Sequence, residues 1–481
     1  MLPIFLAGQP HTTDRAETVC APWTGEAIAE VALASTADVE AALVAADCAR
    51  ATTAALPTWR RAAILRAIAD GIAARADELA ATLSAEACKP IDLARGEVAR
   101  SRATFAVTAS ELEAMRGDVI PMDVAATGER RVGMTRLVAA GPVAAITPFN
   151  FPLNLAAHKV APAVAAGCPI VLKPANKTPL SALKLGEIVL AAGWPEAALS
   201  VLNLAIGDAA PLVEDPRIRV LTFTGSDRVG WQMKARAGKK KVLLELGGDA
   251  AAIVEADAPD WSAMIARLAV GAFAYSGQVC ISVQRIYVQR SVYPRFVADL
   301  VAHVEGHVGV GAPDERGVLV SALIDDAAAQ RIALWTRQTV AMGAQVLCGG
   351  RRGGAGDAGG GRVFDPMVLI DVPPASPLGC NEAFGPLVTI WPYDDLDEAF
   401  AAVNASRFGL QAAVYSSRLD IAMRAFAALE VGAVLVNEMP TFRVDHMPYG
   451  GVKDSGVGRE GPRYAIRDYS EERMLVMPSC L

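Results

Sequence analysis

The stretch 141–246 constrains this chain most, because short apolar runs and helix-patterned segments alternate there with connections of only a few residues. Strands are expected at 142–147, 169–172, 200–204, 219–223 and 241–246, and helices at 153–166, 179–192, 208–214 and 226–237. Strands separated by helices pair in parallel through right-handed crossovers, so the stretch predicts a doubly wound α/β sheet. The chain has 481 residues, and at roughly 150 residues per domain it holds about three folding units. With 53% hydrophobic and 20% charged residues, it has apolar material for several sizeable cores.

The remainder sorts around that sheet. Apolar residues at three- and four-residue spacing predict amphipathic helices at 37–50, 57–83 and 90–115. Runs at 118–124 and 132–138 favour strands around the polar centre 127–131, which reads as a hairpin-like arm. A second α/β domain is expected over 251–454, with strands at 251–254, 285–288, 388–391 and 433–437. The glycine-rich segment 349–361 cannot bury anything and reads as a surface loop or disordered insert. The run 473–477 is a strand with no domain left to join, so it and the arm are expected to pair across subunits of an oligomer. The resulting division is 1–120 with 140–248 as one α/β domain, 249–455 as a second, and 121–139 with 465–481 as an oligomerisation arm.

Charge and cysteine usage exclude several classes. A net charge of −7 gives no electrostatic footprint for nucleic acid or an anionic membrane. The eight cysteines are scattered without a C-x-x-C pair, and there is no histidine cluster at zinc spacing, which disfavours a disulfide scaffold or a metal site. The N-terminus has no positive n-region, so a cytoplasmic location is expected. The longest uncharged stretch, 137–157, carries Pro142, Pro148 and Pro152 with Asn150 and Asn154, a poor membrane span and a better strand, loop and helix start.

Two matches to G-x-G-x-x-G fail on context. Gly354, Gly356 and Gly359 lie in the glycine-rich insert, and Gly456, Gly458 and Gly461 do not follow a strand. A better phosphate candidate is LTFTGSDRVG at 221–230, where a buried strand runs into a helix, Gly225 permits a tight turn and Ser226 is a natural N-cap. Cys280, in SGQVCIS, precedes a predicted strand, while Glu245 ends one and is followed by Gly247 and Gly248. An acid at the carboxyl end of a parallel strand lies where open α/β sheets place their crevices. A thiol nucleophile with a carboxylate base suggests acyl chemistry through a thioester.

Seven motifs in order, TPFNFPLN, LKPANKTP, FTGS, ELGG, GQVC, EAFGP and PYGGVKDSGVGRE, resemble those of the NAD(P)-dependent aldehyde dehydrogenase superfamily across nearly the whole chain. The resemblance implies an aldehyde dehydrogenase-like α/β fold with a Rossmann-type cofactor domain, a second α/β catalytic domain and a small β arm, in a homodimer or homotetramer. It also implies oxidation of a small aldehyde with NAD or NADP and no metal. Cys280 would attack the aldehyde carbon, the Asn150 amide and the Cys280 N–H would hold the oxyanion, and Glu245 would activate the water that releases the acid. Lys173 would bind the adenosine ribose, with Asn176 beside it. Gly225 and Ser226 would approach the pyrophosphate, and Glu382 with Phe384 would orient the nicotinamide ribose and ring.

The chain departs from the family pattern in ways that bear on specificity. Where members favouring NAD often carry a glutamate, this chain has Asn176 followed by Lys177, which should ease entry of NADP. By similarity, Arg100, His158 and Arg443 fall at substrate-tunnel positions and suggest an anionic tail, as in the branch of phosphonoacetaldehyde and non-phosphorylating glyceraldehyde-3-phosphate dehydrogenases. Phosphonoacetaldehyde is the leading substrate, with sulfoacetaldehyde, succinate semialdehyde and lactaldehyde behind it. Val279 stands where such enzymes often place an arginine before the nucleophile, and Arg285 reads as structural. CoA-acylating relatives, the competing class, usually lack the glutamate seen at Glu245.

Overall fold

The computed structural model describes residues 1–351, 353 and 359–479. Part of the segment 349–361, with Gly354 and Gly356, and the last two residues of 465–481 lie outside the described residues.

Five parallel strands form the centre of the first sheet in the spatial order Leu199–Val201, Ile170–Lys173, Val143–Ile146, Val220–Thr224 and Lys241–Glu245. Ile4–Leu6 and Gln9–His11 extend one edge antiparallel, and Gly456–Val457 closes the other. Chain order therefore reverses between Val143–Ile146 and Val220–Thr224, and the carboxyl ends of strands at such a switch point open a ligand crevice. The four residues of Val143–Ile146 and of Ile170–Lys173 are buried, which suits strands covered by helices on both faces.

The helix Pro152–Ala166 starts immediately beyond that crevice and is buried along its whole length. Pro152 fits the first turn, where no backbone N–H is needed, and Gly167 ends the helix at φ 79°. No side chain of its own caps it. Glu97, from Ile91–Ala114, accepts from the N–H groups of Leu153 and Asn154 at 3.0 Å each. The same carboxylate is ion-paired with buried Lys89, whose ammonium lies 3.6 Å from the Phe151 ring centroid. Removing either member would strand a buried charge, at a cost of about 3–5 kcal/mol.

The expected N-terminal helices are present with two changes of boundary. The first runs Thr36–Ala55 from a capping box of Ser35 and Asp38. The single helix expected at 57–83 is two, Thr58–Ala74 and Ala76–Ala87, broken at Arg75. Arg75 leaves helical geometry and reaches Glu78 and Glu187 at 2.7 Å, while Asp77 and Glu78 occupy the new first turn, where acids favour a helix start.

The second sheet orders Gln345–Cys348, Met367–Ile370, Leu387–Tyr393, Val283–Gln289, Ala250–Val254, Gln411–Tyr415 and Ala433–Val436, all parallel except the first. The first sheet's core draws on residues from Ile4 to Leu246 with Ile466 and Tyr469, and the second sheet's on residues from Ala251 to Leu435.

The arm corrects two expectations. Only Val119–Ile120 is strand in the region 118–124, and Met122–Val124 is a 3-10 turn. The C-terminal strand Ser470–Pro478 pairs antiparallel with Arg131–Ala139 of its own chain, from Ser470 opposite Ala139 to Pro478 opposite Arg131, not across subunits. Eight unbroken residue pairs beyond Ser470 follow because the turn after Pro462–Asp468 already delivers the strand beside that edge.

Candidate active site

Three separated stretches meet at the switch point. Asn150 follows the strand Val143–Ile146, Gly225 and Ser226 follow Val220–Thr224, and Glu245 ends Lys241–Glu245. Cys280 arrives from the other sheet, between the turn Ala274–Gly277 and the strand Val283–Gln289. A cavity of ≈ 670 Å³ is lined by all five, together with Glu382, Phe384, Arg100, Arg443 and Tyr449.

The approach to Cys280 is an unusual piece of backbone. Tyr275, Ser276 and Gly277 have φ of 53°, 55° and 67° in succession, and left-handed non-glycine residues cost of order 1–3 kcal/mol each. Buried ties hold them. Tyr275 donates to the Ala87 carbonyl at 2.8 Å, Ser276 donates to Ser321 O at 2.8 Å and accepts from Ser321 N at 2.9 Å, and Gln278 Oε1 accepts from Ile324 N at 3.0 Å. Gly277 is required as well, since a Cβ there would lie 2.1 Å from the Gly385 carbonyl oxygen. Asn150 joins the two sheets by donating from Nδ2 to the Gln278 carbonyl at 3.0 Å, leaving its buried Oδ1 without a partner.

Electrostatics divide the carboxylates. Burial, and then the charge of Glu460, push Glu245 well above the usual carboxylate range, and its Oε2 is buried without a hydrogen-bond partner. Glu460 is held down to about 2 despite its burial, by Lys159, His158 and Arg443. Neighbouring acids driven apart in this way take different proton roles. Burial raises the Cys280 thiol to about 12, opposed by a hydrogen bond with Tyr449. Burial likewise raises Glu382 to about 8, while its Oε1 accepts from Gly248 N at 2.9 Å. Phe384, at φ 53°, sets its ring edge-on to Phe149 with centroids 6.0 Å apart.

The other expected site residues are placed differently. Lys173 and Asn176 lie outside the cavity lining. Lys173 Nζ donates to Asn176 Oδ1 at 2.8 Å, and burial lowers its pKa to about 8. Asn176 Nδ2 donates in turn to Glu17 Oε2 at 2.5 Å, so a carboxylate from the strand Ala16–Cys20 stands behind this pair, and Lys177 is ion-paired with Asp325. Ser226 occupies the N-cap position of Asp227–Arg236, but its side chain makes no capping bond.

Arg100, His158 and Arg443 do come together, around an acid the sequence reading did not weigh. Asp445 accepts from Arg100 Nε at 3.1 Å and Nη2 at 2.8 Å, lies 2.9 Å from His158 Nε2, and is held well below its ordinary pKa, against its burial, by those contacts. Arg443 Nη2 is 3.0 Å from His158 Nε2 and 3.1 Å from Glu460 Oε2. Arg100 and Arg443 line the cavity, whereas His158 does not and is buried behind it. Arg285 is paired with Asp249 at 3.0 Å, deep in the second sheet. Sequence reasoning also passed over Tyr449 and Glu460, both inside a motif it quoted, and Glu17, for which spacing offered no signal.

A parallel sheet with a switch-point crevice, facing a half-buried thiol from a second sheet, is the layout of a dinucleotide-linked oxidoreductase with a cysteine at its centre. The model of the aldehyde dehydrogenase family matches residues 9–475, and the chain belongs to that family. It is 40% identical over 478 residues, 98% of this chain and 97% of the relative, to the 3-sulfolactaldehyde dehydrogenase of Priestia megaterium. Among solved structures, aldehyde dehydrogenase 21 of Physcomitrella patens in complex with the reaction product succinate has a TM-score of 0.95 at 42% identity, over 100% of this chain and 98% of that one. The NADP-dependent glyceraldehyde-3-phosphate dehydrogenase of Bacillus halodurans, complexed with NADP, has a TM-score of 0.95 at 32% identity, over 100% and 99%. The protein is thus an NAD(P)-dependent oxidoreductase acting on aldehydes. No helix among the described residues is long and apolar enough to cross a membrane.

Proposed function

We propose that the protein oxidises a short aldehyde with a singly charged anionic tail to its carboxylic acid, through a thioester on Cys280. The observation that carries this reading is that Cys280, Asn150 and Glu245 line the same cavity as Arg100 and Arg443. Cys280 attacks the aldehyde carbon, and the oxyanion of the thiohemiacetal is held by the Asn150 amide and the Cys280 N–H. The dinucleotide, when bound, supplies the hydride acceptor. The free amides at the start of Asp227–Arg236 and the uncommitted Ser226 hydroxyl suit its pyrophosphate, and Glu382 with Phe384 suits its nicotinamide end. Glu245, raised by burial, takes the proton of the water that hydrolyses the thioester.

The tail's charge follows from the arginines' partners. Arg100, Arg443 and, behind them, Lys159 are answered by only Asp445 and Glu460, so the cluster has one cation in excess, which a tail with one negative charge balances. That suits a sulfonate or carboxylate better than a phosphonate near two negative charges. The 3-sulfolactaldehyde enzyme and the succinate-bound structure fit this preference, and phosphonoacetaldehyde becomes a competitor. Arg100→Leu is expected to raise KM for sulfolactaldehyde or succinate semialdehyde by about ten-fold to a hundred-fold, the worth of a charge-assisted hydrogen bond. Neutral short aldehydes should be unaffected; equal loss on both would reject a tail-binding role. Rates that rise with added CoA would favour the CoA-acylating class instead.

For the cofactor, Glu17 restores behind Asn176 the negative charge that the motif lacks, and Lys177 is committed to Asp325. We read this as a preference for NAD over NADP, since a 2′-phosphate beside Lys173 would meet that carboxylate. Glu17→Gln is expected to move the ratio of kcat/KM for NADP over NAD upward by about ten-fold, and an unchanged ratio would remove Glu17 from cofactor choice. Met474, Leu475, Val476 and Met477 are exposed on the strand Ser470–Pro478, which supports association into two or four copies.

A further inference from the structure

We propose that the Tyr449 phenol donates the hydrogen bond that stabilises the Cys280 thiolate, which makes Tyr449 a catalytic residue of the oxidation. The inference rests on the reading of Cys280 as the nucleophile and adds the group that makes this half-buried thiol usable. Tyr449 Oη lies 2.9 Å from Cys280 Sγ, inside the cavity. Its backbone is pinned by two bonds to Glu460, from Tyr449 N to Glu460 O at 3.0 Å and from Glu460 N to Tyr449 O at 2.6 Å, so the ring is aimed rather than free to swing.

The charged and titratable groups that act on the thiol are Tyr449, Glu382, Arg443 and Glu245. The two carboxyls oppose a thiolate whenever they ionise. Arg443 favours one but stands behind the aromatic ring, its guanidinium carbon 3.7 Å from the Tyr449 centroid, where Glu460 holds it. The phenol is therefore the donor in direct reach of sulfur. Burial keeps it protonated far above its ordinary range, so the O–H is available at every working pH. A cation over the ring face draws electron density from it and makes the O–H a stronger donor. When the thiol proton leaves for solvent, the lone pair left on Sγ accepts the phenol hydrogen, and no other bond changes. Once sulfur is acylated its charge is gone and that hydrogen bond weakens, so the contact favours the attacking species over the thioester.

The test is Tyr449→Phe, which keeps the ring and removes the hydroxyl. Alkylation of Cys280 by iodoacetamide, read on its own peptide by mass spectrometry, should have its rising pH–rate profile displaced upward by about one pH unit, the size of a charge-assisted hydrogen bond. At a fixed pH on that rising limb the alkylation rate and the rate at which the first equivalent of reduced cofactor forms should both fall about ten-fold, with cofactor Kd unchanged. An alkylation profile superimposable on the parent's would overturn the proposal. Cys280→Ala separates this from failure of the underlying reading: a variant without the thiol that still turns over rejects the nucleophile itself, whereas an inactive one beside an unshifted Tyr449→Phe profile rejects only the phenol.

Discussion

Cys280→Ala is expected to bring aldehyde oxidation to background, a loss of about 10⁴-fold or more, because the covalent step has no substitute in the cavity. Cofactor affinity should be retained. Glu382 and Phe384 approach from the loop before Leu387–Tyr393, and Gly225 with Ser226 follow a strand of the other sheet, so none of them depends on the sulfur for its position. The side chain itself carries little structural weight, and what shapes the turn is backbone. Gly248 is required beneath it, since a Cβ there would lie 2.1 Å from the Cys280 carbonyl oxygen, and the left-handed Tyr275 and Ser276 are held by Ala87 and Ser321. Calorimetry should therefore give nearly the parent's Tm, and titration with NAD the parent's Kd. Turnover persisting near the parent rate would reject Cys280 as nucleophile and with it the thioester route.

The fold was legible where burial and connection length speak together. Strands such as Val143–Ile146 are fully buried and separated by single helices, which leaves parallel pairing as the economical arrangement. The break at Arg75 was not legible, because both halves carry the same apolar spacing and the residue that interrupts them answers to Glu187, 112 positions away. The C-terminal strand was legible as an orphan. Its partner within the chain was not, since periodicity gives no information on which edge lies beside the end of Pro462–Asp468.

The site divides in the same way. Cys280 and Glu245 were found at the ends of predicted strands and Asn150 through the similarity of its motif, and the structure gathers the three around one cavity. The arginines were found through similarity alone, and similarity is silent about counter-charges. Asp445 meets Arg100 across 345 positions and His158 across 287, so their mutual neutralisation becomes visible only in three dimensions. Glu17 is the same case: Asn176 reads as a missing acid until the strand Ala16–Cys20 is seen to supply one. In each instance the sequence names the donor and the fold supplies the partner that limits what the donor can do.

Glu245→Gln should uncouple the two halves of the reaction. Glutamine keeps the shape but cannot take a proton, so acylation of Cys280 proceeds and hydrolysis stalls. A burst of reduced cofactor should precede a steady rate lower by about 10²-fold to 10⁴-fold, the usual contribution of a general base. Mass spectrometry should find the acyl group on Cys280. The pH dependence carries a second signature. Burial and Glu460 raise the folded-state pKa of Glu245, so its basic form grows as pH climbs toward that value, and the parent's steady rate should rise along this limb. The variant should lose the limb. Stability moves the opposite way: a carboxyl that binds its proton more tightly when folded contributes stability that is present below its unfolded pKa and lost as pH rises through the folded one. Relative to the parent, Glu245→Gln should therefore hold its Tm better on the alkaline side. An unchanged steady rate with no acylated Cys280 would remove Glu245 from deacylation, and the Tm comparison would still report whether it ionises where its surroundings dictate.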